Sequence, residues 1–213
     1  MVTEAIIQSH VNHGYSIAAS KVGHTFVVFR PLDTGPVLRN QNIVQELPLA
    51  FDQDYHFGFM KPSEYNKQNY YALLDLTLIK VGDYLWDYDQ HIFFVAWIEP
   101  LRPAELTRCD ATINLIQPSG SIDNGYGGDT TPVTKITGWP IAISPGTKGE
   151  TNEAHTPGSV RSPWMIGYAP LLPDGVMIEE YDVIIDELGR RYVVSMPSLG
   201  KEGWYFSMAM EQP

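Results

Sequence analysis

A single cysteine, Cys109, is all the thiol chemistry that this 213-residue chain possesses. It excludes an internal disulfide and any zinc site built from several thiolates. Cationic side chains are scarce as well: 14 lysines and arginines stand against 25 acids, a formal charge of −11. A chain this acidic does not hold DNA or RNA by broad phosphate neutralisation, and an anionic membrane surface repels it. No run approaches the roughly 20 apolar residues that cross a bilayer as a helix. The opening residues 1–8 have neither the basic stretch nor the long apolar stretch of a secretory signal, so no membrane partner is expected.

What is present is apolar and aromatic. With 44% hydrophobic and only 18% charged residues, the balance is the reverse of that in disordered chains, and a folded core is expected. The length allows one large domain or two small ones. Thr3 as a cap and Glu4 in the first turn open a helix, along which Ile6, Ile7, His10, Val11, Gly14, Ile17 and Ala18 recur at helical spacing. Gly23 stops it, and residues 24–30 read as a strand ended by Pro31. Residues 38–47 read either as a short helix or as an extended arm.

From Tyr70 onward the pattern is that of β-structure. Strands are expected over 72–81, continuing at 84–86, and over 92–98, 165–168, 176–185, 191–196 and 204–210. Residues 105–116 read as one strand with a wet side, placing Cys109, Ala111, Ile113 and Leu115 on its apolar face. Between the glycine-rich stretch 119–132 and the proline- and glycine-rich stretch 144–163, residues 133–143 promise one short strand at best. The fold class is therefore mainly β (α+β): antiparallel β-barrel or sandwich modules with an N-terminal helix and long loops. The divisions are 1–31, 32–118, 119–163 and 164–213, with one composite domain as the alternative.

One internal echo stands out. Asp83-Tyr-Leu-Trp-Asp87, leading to Phe93-Phe-Val95, aligns without a gap with Asp182-Val-Ile-Ile-Asp186, leading to Tyr192-Val-Val194. Each reads as a β-hairpin. Either this is shared hairpin grammar or the chain holds two related β-modules.

A search for chemistry returns no nucleophile elbow, no phosphate loop and no His-Glu-x-x-His. Cys109 on an apolar strand face reads as a small core residue. His10 and His13 share a helix face, but no thiolate or carboxylate lies at a matching offset, so no metal is expected. Residues 123–129 supply oxygen ligands without the spacing that makes a calcium loop specific. The acids Asp83, Asp87, Asp182 and Asp186 are explained by their hairpins, as turn and edge acids that discourage strand addition. The tryptophans Trp86, Trp97, Trp139, Trp164 and Trp204 read mostly as core. No catalytic residue, cofactor or metal is assigned, and the chain is not expected to be an enzyme.

A family resemblance enters on specific residues. Gly82-Asp-Tyr-Leu, Phe93-Phe-Val-Ala and Pro100-Leu-Arg-Pro103 resemble small structural proteins encoded among the head and neck genes of tailed bacteriophages and prophages. The run from Asp182 to Val194 is similar to the hairpin of phage head-completion (stopper) proteins, and residues 15–31 look like the start of the first group. The first hairpin departs from the stopper pattern, having Gln90, His91 and Ile92 where a turn glycine and an arginine would stand, and the chain is longer than single-module stoppers.

The resemblance implies a non-enzymatic head–tail connector: a homo-oligomeric neck ring of six or twelve copies that joins portal or adaptor to tail. DNA would pass through its lumen without sequence-specific binding. Such a protein is made in the host bacterial cytoplasm and ends in the virion. The alternative is a tail or baseplate structural protein with a glycan-contacting aromatic surface. Expected oligomer and partner contacts are Ile6, His10 and His13 on the helix, and Tyr126, Asp129, Lys148, Glu150, His155 and Arg161 in the two long loops.

Overall fold

The structure, a computed structural model, describes residues 4–54, 56–57, 68–89, 91–118, 132–146, 164–173 and 175–211. The chain is mainly β with one N-terminal helix, and its strands close two six-stranded antiparallel barrels. Helix α1 (Glu4–Val22) has Glu4 in its first turn and Lys21 in its last, each placed to suit the helix dipole. It lies on the outside of the first barrel against strands β2 (Ile43–Asp52) and β3 (Asn69–Leu73), and Ala19 is its one fully buried residue. Gly23 ends it. A Cβ there would lie 2.4 Å from the Leu49 carbonyl oxygen, so only glycine lets the helix end approach β2.

The first barrel runs in the order β1 (His24–Phe29), β2, β3, β6 (Ala104–Cys109), β5 (Ile92–Trp97), β4 (Tyr84–Trp86), and closes where β4 pairs with β1. The chain then turns at Asp110 into the second. Its order is β7 (Ala111–Gln117), β8 (Val133–Pro145), β9 (Trp164–Ala169), β12 (Gly203–Met210), β11 (Arg191–Gly200), β10 (Val183–Asp186), closing where β10 pairs with β7. The two orders are the same circuit walked twice. The register agrees as well: Phe29 faces Tyr84 across one closing seam, and Ile116 faces Val183 across the other. Of the two readings left open by the hairpin echo, the repeated topology supports two related modules.

Alternation decides what each strand buries. Phe26, Val28, Leu47, Leu49, Leu85, Phe93, Val95 and Leu106 fill the first barrel. The other faces of β1, β4 and β5, bearing Val27, Phe29, Tyr84 and Phe94, join the core of the second barrel. Burial on both faces explains why these strands are continuous apolar runs. The seam between the barrels is further held by the β1–β2 connection. Val37 is fully buried there, Trp139 Nε1 donates to Gly35 O at 3.0 Å, and the Tyr84 hydroxyl donates to Pro140 O at 2.9 Å.

Several sequence expectations are corrected. Of the two readings of residues 38–47, the helix is reduced to a 3-10 turn at Asn40–Asn42, and the chain is extended from Ile43, where β2 begins. The ribbon 105–116 is two strands in two barrels; its alternation persists across Asp110, which is why it reads as one. Residues 133–143 lie within a strand of 13 residues. Gly138, at φ 65°, supplies a bulge there, and its N–H is taken by the Asn114 side chain at 2.9 Å, so the glycine bends the strand without ending it. Residues 74–81 and 176–182 are loops whose buried Leu74, Leu76, Ile79 and Ile178 plug the cores. Strand-like composition there reflects burial and not pairing. The barrels divide the chain at Asp110, whereas the sequence reading placed divisions near 32, 119 and 164.

Candidate functional site

The echoed hairpins carry a dense set of polar contacts. Asp83 is 1% exposed and Asp182 1%, and Asp87 and Asp186 are also buried. The expectation that these are edge acids is overturned, because both sheets are closed and the carboxylates point inward at turns. Asp83 Oδ2 accepts the Lys80 N–H at 2.8 Å, and Asp182 Oδ2 accepts the Glu179 N–H at 2.9 Å. Asp87 Oδ1 accepts the His91 N–H at 2.7 Å, and Asp186 Oδ1 accepts the Arg190 N–H at 2.8 Å. The residue before each first aspartate, Gly82 or Tyr181, has positive φ (89° and 71°), and its N–H bonds to Val95 O or Val194 O. Two turns of different sequence thus share one bonding scheme.

Asp83, Asp182 and Asp186 each also meet a cation, since an unpaired buried charge is costly. Arg30, at the end of β1, forks onto Asp83 at 2.7 and 2.6 Å. Lys135, from β8, reaches Asp182 at 2.8 Å and Glu179 at 2.7 Å. Arg190 Nε reaches Asp186 Oδ2 at 2.6 Å, and His91 Nδ1 lies 2.8 Å from Asp87 Oδ2. The aspartate hydrogen bond pushes the Arg30 and Arg190 guanidinium values further up. Carboxylates engaged in this way brace turns. Their lone pairs are directed at donors of the fold itself.

The remaining candidates are spread out. Ile6, His10 and His13 are exposed on α1, with Ile6 at 46%. Tyr126, Asp129, Lys148, Glu150, His155 and Arg161 lie outside the described residues. Cys109 is buried, and that burial pushes its thiol well up, so it stays protonated among core side chains. Trp139 is fully buried, so its indole is core and offers nothing to a glycan. Among the described residues no group of three or more His, Cys, Asp or Glu is placed to hold a metal, and no helix is long and apolar enough to cross a membrane.

A cleft of about 450 Å³ opens between the barrels, lined by Glu105, Thr107, Tyr168, Lys201, Trp204 and Tyr205 among others. Burial, then Glu202 and Glu99, push the Glu105 carboxyl up. Lys201 Nζ sits 5.9 Å from the centre of the Trp97 ring. At the barrel junction Asp110 accepts the Ile143 N–H at 2.6 Å and a Gln68 amide N–H at 3.1 Å.

Sequence reasoning found the aspartates and missed Arg30 and Lys135, which are remote in sequence. It also missed a second echo. Leu47-Pro48-Leu49-Ala50 in β2 and Trp139-Pro140-Ile141-Ala142 in β8 occupy the same register opposite β1 and β7, at an offset that a gapless alignment with the hairpins does not reach. The chain matches no family model, no curated protein and no solved structure.

Proposed function

We propose that this chain is a non-enzymatic structural subunit of a phage virion at the head–tail junction. In this reading it forms a homo-oligomeric ring that joins portal or adaptor to tail around the DNA channel. The observation that carries the proposal is the use made of the echoed aspartates: both pairs are buried and bonded to backbone N–H groups, and Asp83, Asp182 and Asp186 are matched to cations of the fold. These hairpins also carry the family resemblance, and here they stiffen two walls. A rigid double barrel with an exposed helix suits a wall element of an assembly.

On this reading α1, through Ile6, His10 and His13, contacts a neighbouring subunit or the portal side, and the stretches 119–132 and 144–163 contact tail-side proteins. Part of the acidic excess faces the channel, where repulsion from phosphate lets DNA slide. Negative-stain microscopy of the purified chain, alone and with a portal ring, tests the proposal. Annular particles stacked on the portal are expected. Portal rings that stay bare at saturating chain refute it, and a basic lumen in an assembled ring refutes the sliding argument.

A further inference from the structure

The barrel repeat exposes a surface whose occupant the molecule itself defines. In the first barrel, the outward side chains Val27, Phe29, Tyr84 and Phe94 of β1, β4 and β5 are buried against the second barrel. The receiving surface is on β8, where Pro140 is buried and its carbonyl accepts the Tyr84 hydroxyl. The strand registers assign an equivalent to each of these residues. On the second barrel the four outward positions are Asn114, Ile116, Val183 and Val193. On the first barrel the equivalent of Pro140 is Pro48, since Pro48 faces Thr25 as Pro140 faces Thr112.

Neither equivalent surface is covered as its counterpart is, although Asn114 accepts the Gly138 N–H, Val183 is itself buried and α1 packs on part of β2. Ile116 and Val193 are half-buried and belong to neither core, whereas their counterparts Phe29 and Phe94 are core residues. Tyr181, whose N–H bonds to Val194 O, and Met196 are exposed beside them at 66% and 61%. Pro48 is exposed, although its counterpart is buried, and α1 crosses β2 without covering it. One half of the barrel–barrel interface is therefore repeated on the second barrel and the other half on the first. Both copies face outward.

We propose that these two surfaces meet between copies of the chain: the β7–β10–β11 face of one molecule packs on the Pro48 face of β2 in the next. The occupant is a second copy because the intramolecular interface is the template for both halves. The contact is heterologous, head to tail, so it closes into a ring when the rotation divides a full turn and otherwise runs on as a filament. The apolar part comes from Ile116 and Val193, since Val183 is already buried, and the smaller area than Phe29, Tyr84 and Phe94 provide makes it weaker than the internal seam. This deepens the neck-ring reading and rests on its premise that copies assemble.

Cross-linking between two differently substituted chains tests it, with Cys109→Ala as background in both. One carries Pro48→Cys and the other Val193→Cys, with Ile116→Cys as the replacement should Val193→Cys fail to give the parent circular dichroism spectrum. A short bismaleimide should join the two chains in the mixture and give far less dimer with either alone. A chain carrying both substitutions should give a ladder that stops at the ring size. Annular particles by microscopy without the mixed cross-link overturn this interface and leave the ring reading standing. Absence of both particles and cross-link, with portal present, overturns both.

Discussion

Replacing Lys135 with methionine isolates the contribution of a buried carboxylate partner. The substitution keeps most of the aliphatic stem and removes only the ammonium group. Asp182 is 1% exposed at its side chain and Lys135 12%, so water cannot replace the lost partner. The Glu179 N–H remains on Asp182 Oδ2, but the charge is left uncompensated. Removing one member of a buried pair costs about 3–5 kcal/mol. In a chain of this size that lowers the melting temperature by on the order of 10 °C. The same chain holds a control in Arg102–Glu99, whose side chains are 72% and 44% exposed. There Arg102→Ala should cost about 0–1 kcal/mol. Urea unfolding followed by tryptophan fluorescence and by circular dichroism reads both variants. A Lys135→Met loss no larger than that of Arg102→Ala refutes the bracing role assigned to the hairpin acids.

Two further outcomes follow from single contacts. Gly167 faces Phe206 across β9 and β12, and a Cβ at Gly167 would come within 2.2 Å of that ring, so Gly167→Ala should cost about 1–3 kcal/mol. Adding Phe206→Leu should recover part of that loss, and strict additivity in thermal melts would count against the steric account. Asp110 is held above the ordinary carboxyl value by packing that displaces its water, against the lowering effect of the Ile143 N–H. The folded state therefore binds this proton more tightly than the unfolded state. Asp110's contribution is present below the unfolded value and is lost as pH rises through the folded one. Asp110→Asn should flatten that acid-side dependence by less than about 1 kcal/mol, because the residue is partly exposed. An unchanged pH profile would argue against it.

The parts of this fold legible in the sequence are those in which a local rule coincides with the tertiary outcome. Helix α1 announces itself through Glu4 and Gly23, because an end-on dipole and a close backbone approach are set within a few residues. The hairpin at Asp182 is legible because Gly189, at φ 75°, is needed by its turn. The walls β5 and β11 are legible through their dense apolar content. What stays hidden are features that depend on distant partners. Ile79 and Ile178 look like strand residues until the barrel ends that they plug are known. Asp83 looks like a surface acid until Arg30 is placed beside it, across most of the first barrel's sequence. Pro140 looks like a breaker until the bulge at Gly138 and the hydroxyl of Tyr84 account for it. For the candidate contacts, the sequence named Ile6, His10 and His13 on α1 but gave no sign of the repeated faces around Ile116 and Pro48.

Closure of both sheets has an evolutionary corollary. Each strand named here pairs with a neighbour on both sides over at least part of its length, so neither sheet offers a whole edge strand as a ladder to extend. Recruitment by main-chain templating, the route to indiscriminate fibril growth, is thereby restricted at the barrel walls. Affinity for other molecules must then be written in outward side chains, each alterable by a single codon while the scaffold stays intact. Such a surface can track a changing partner one substitution at a time.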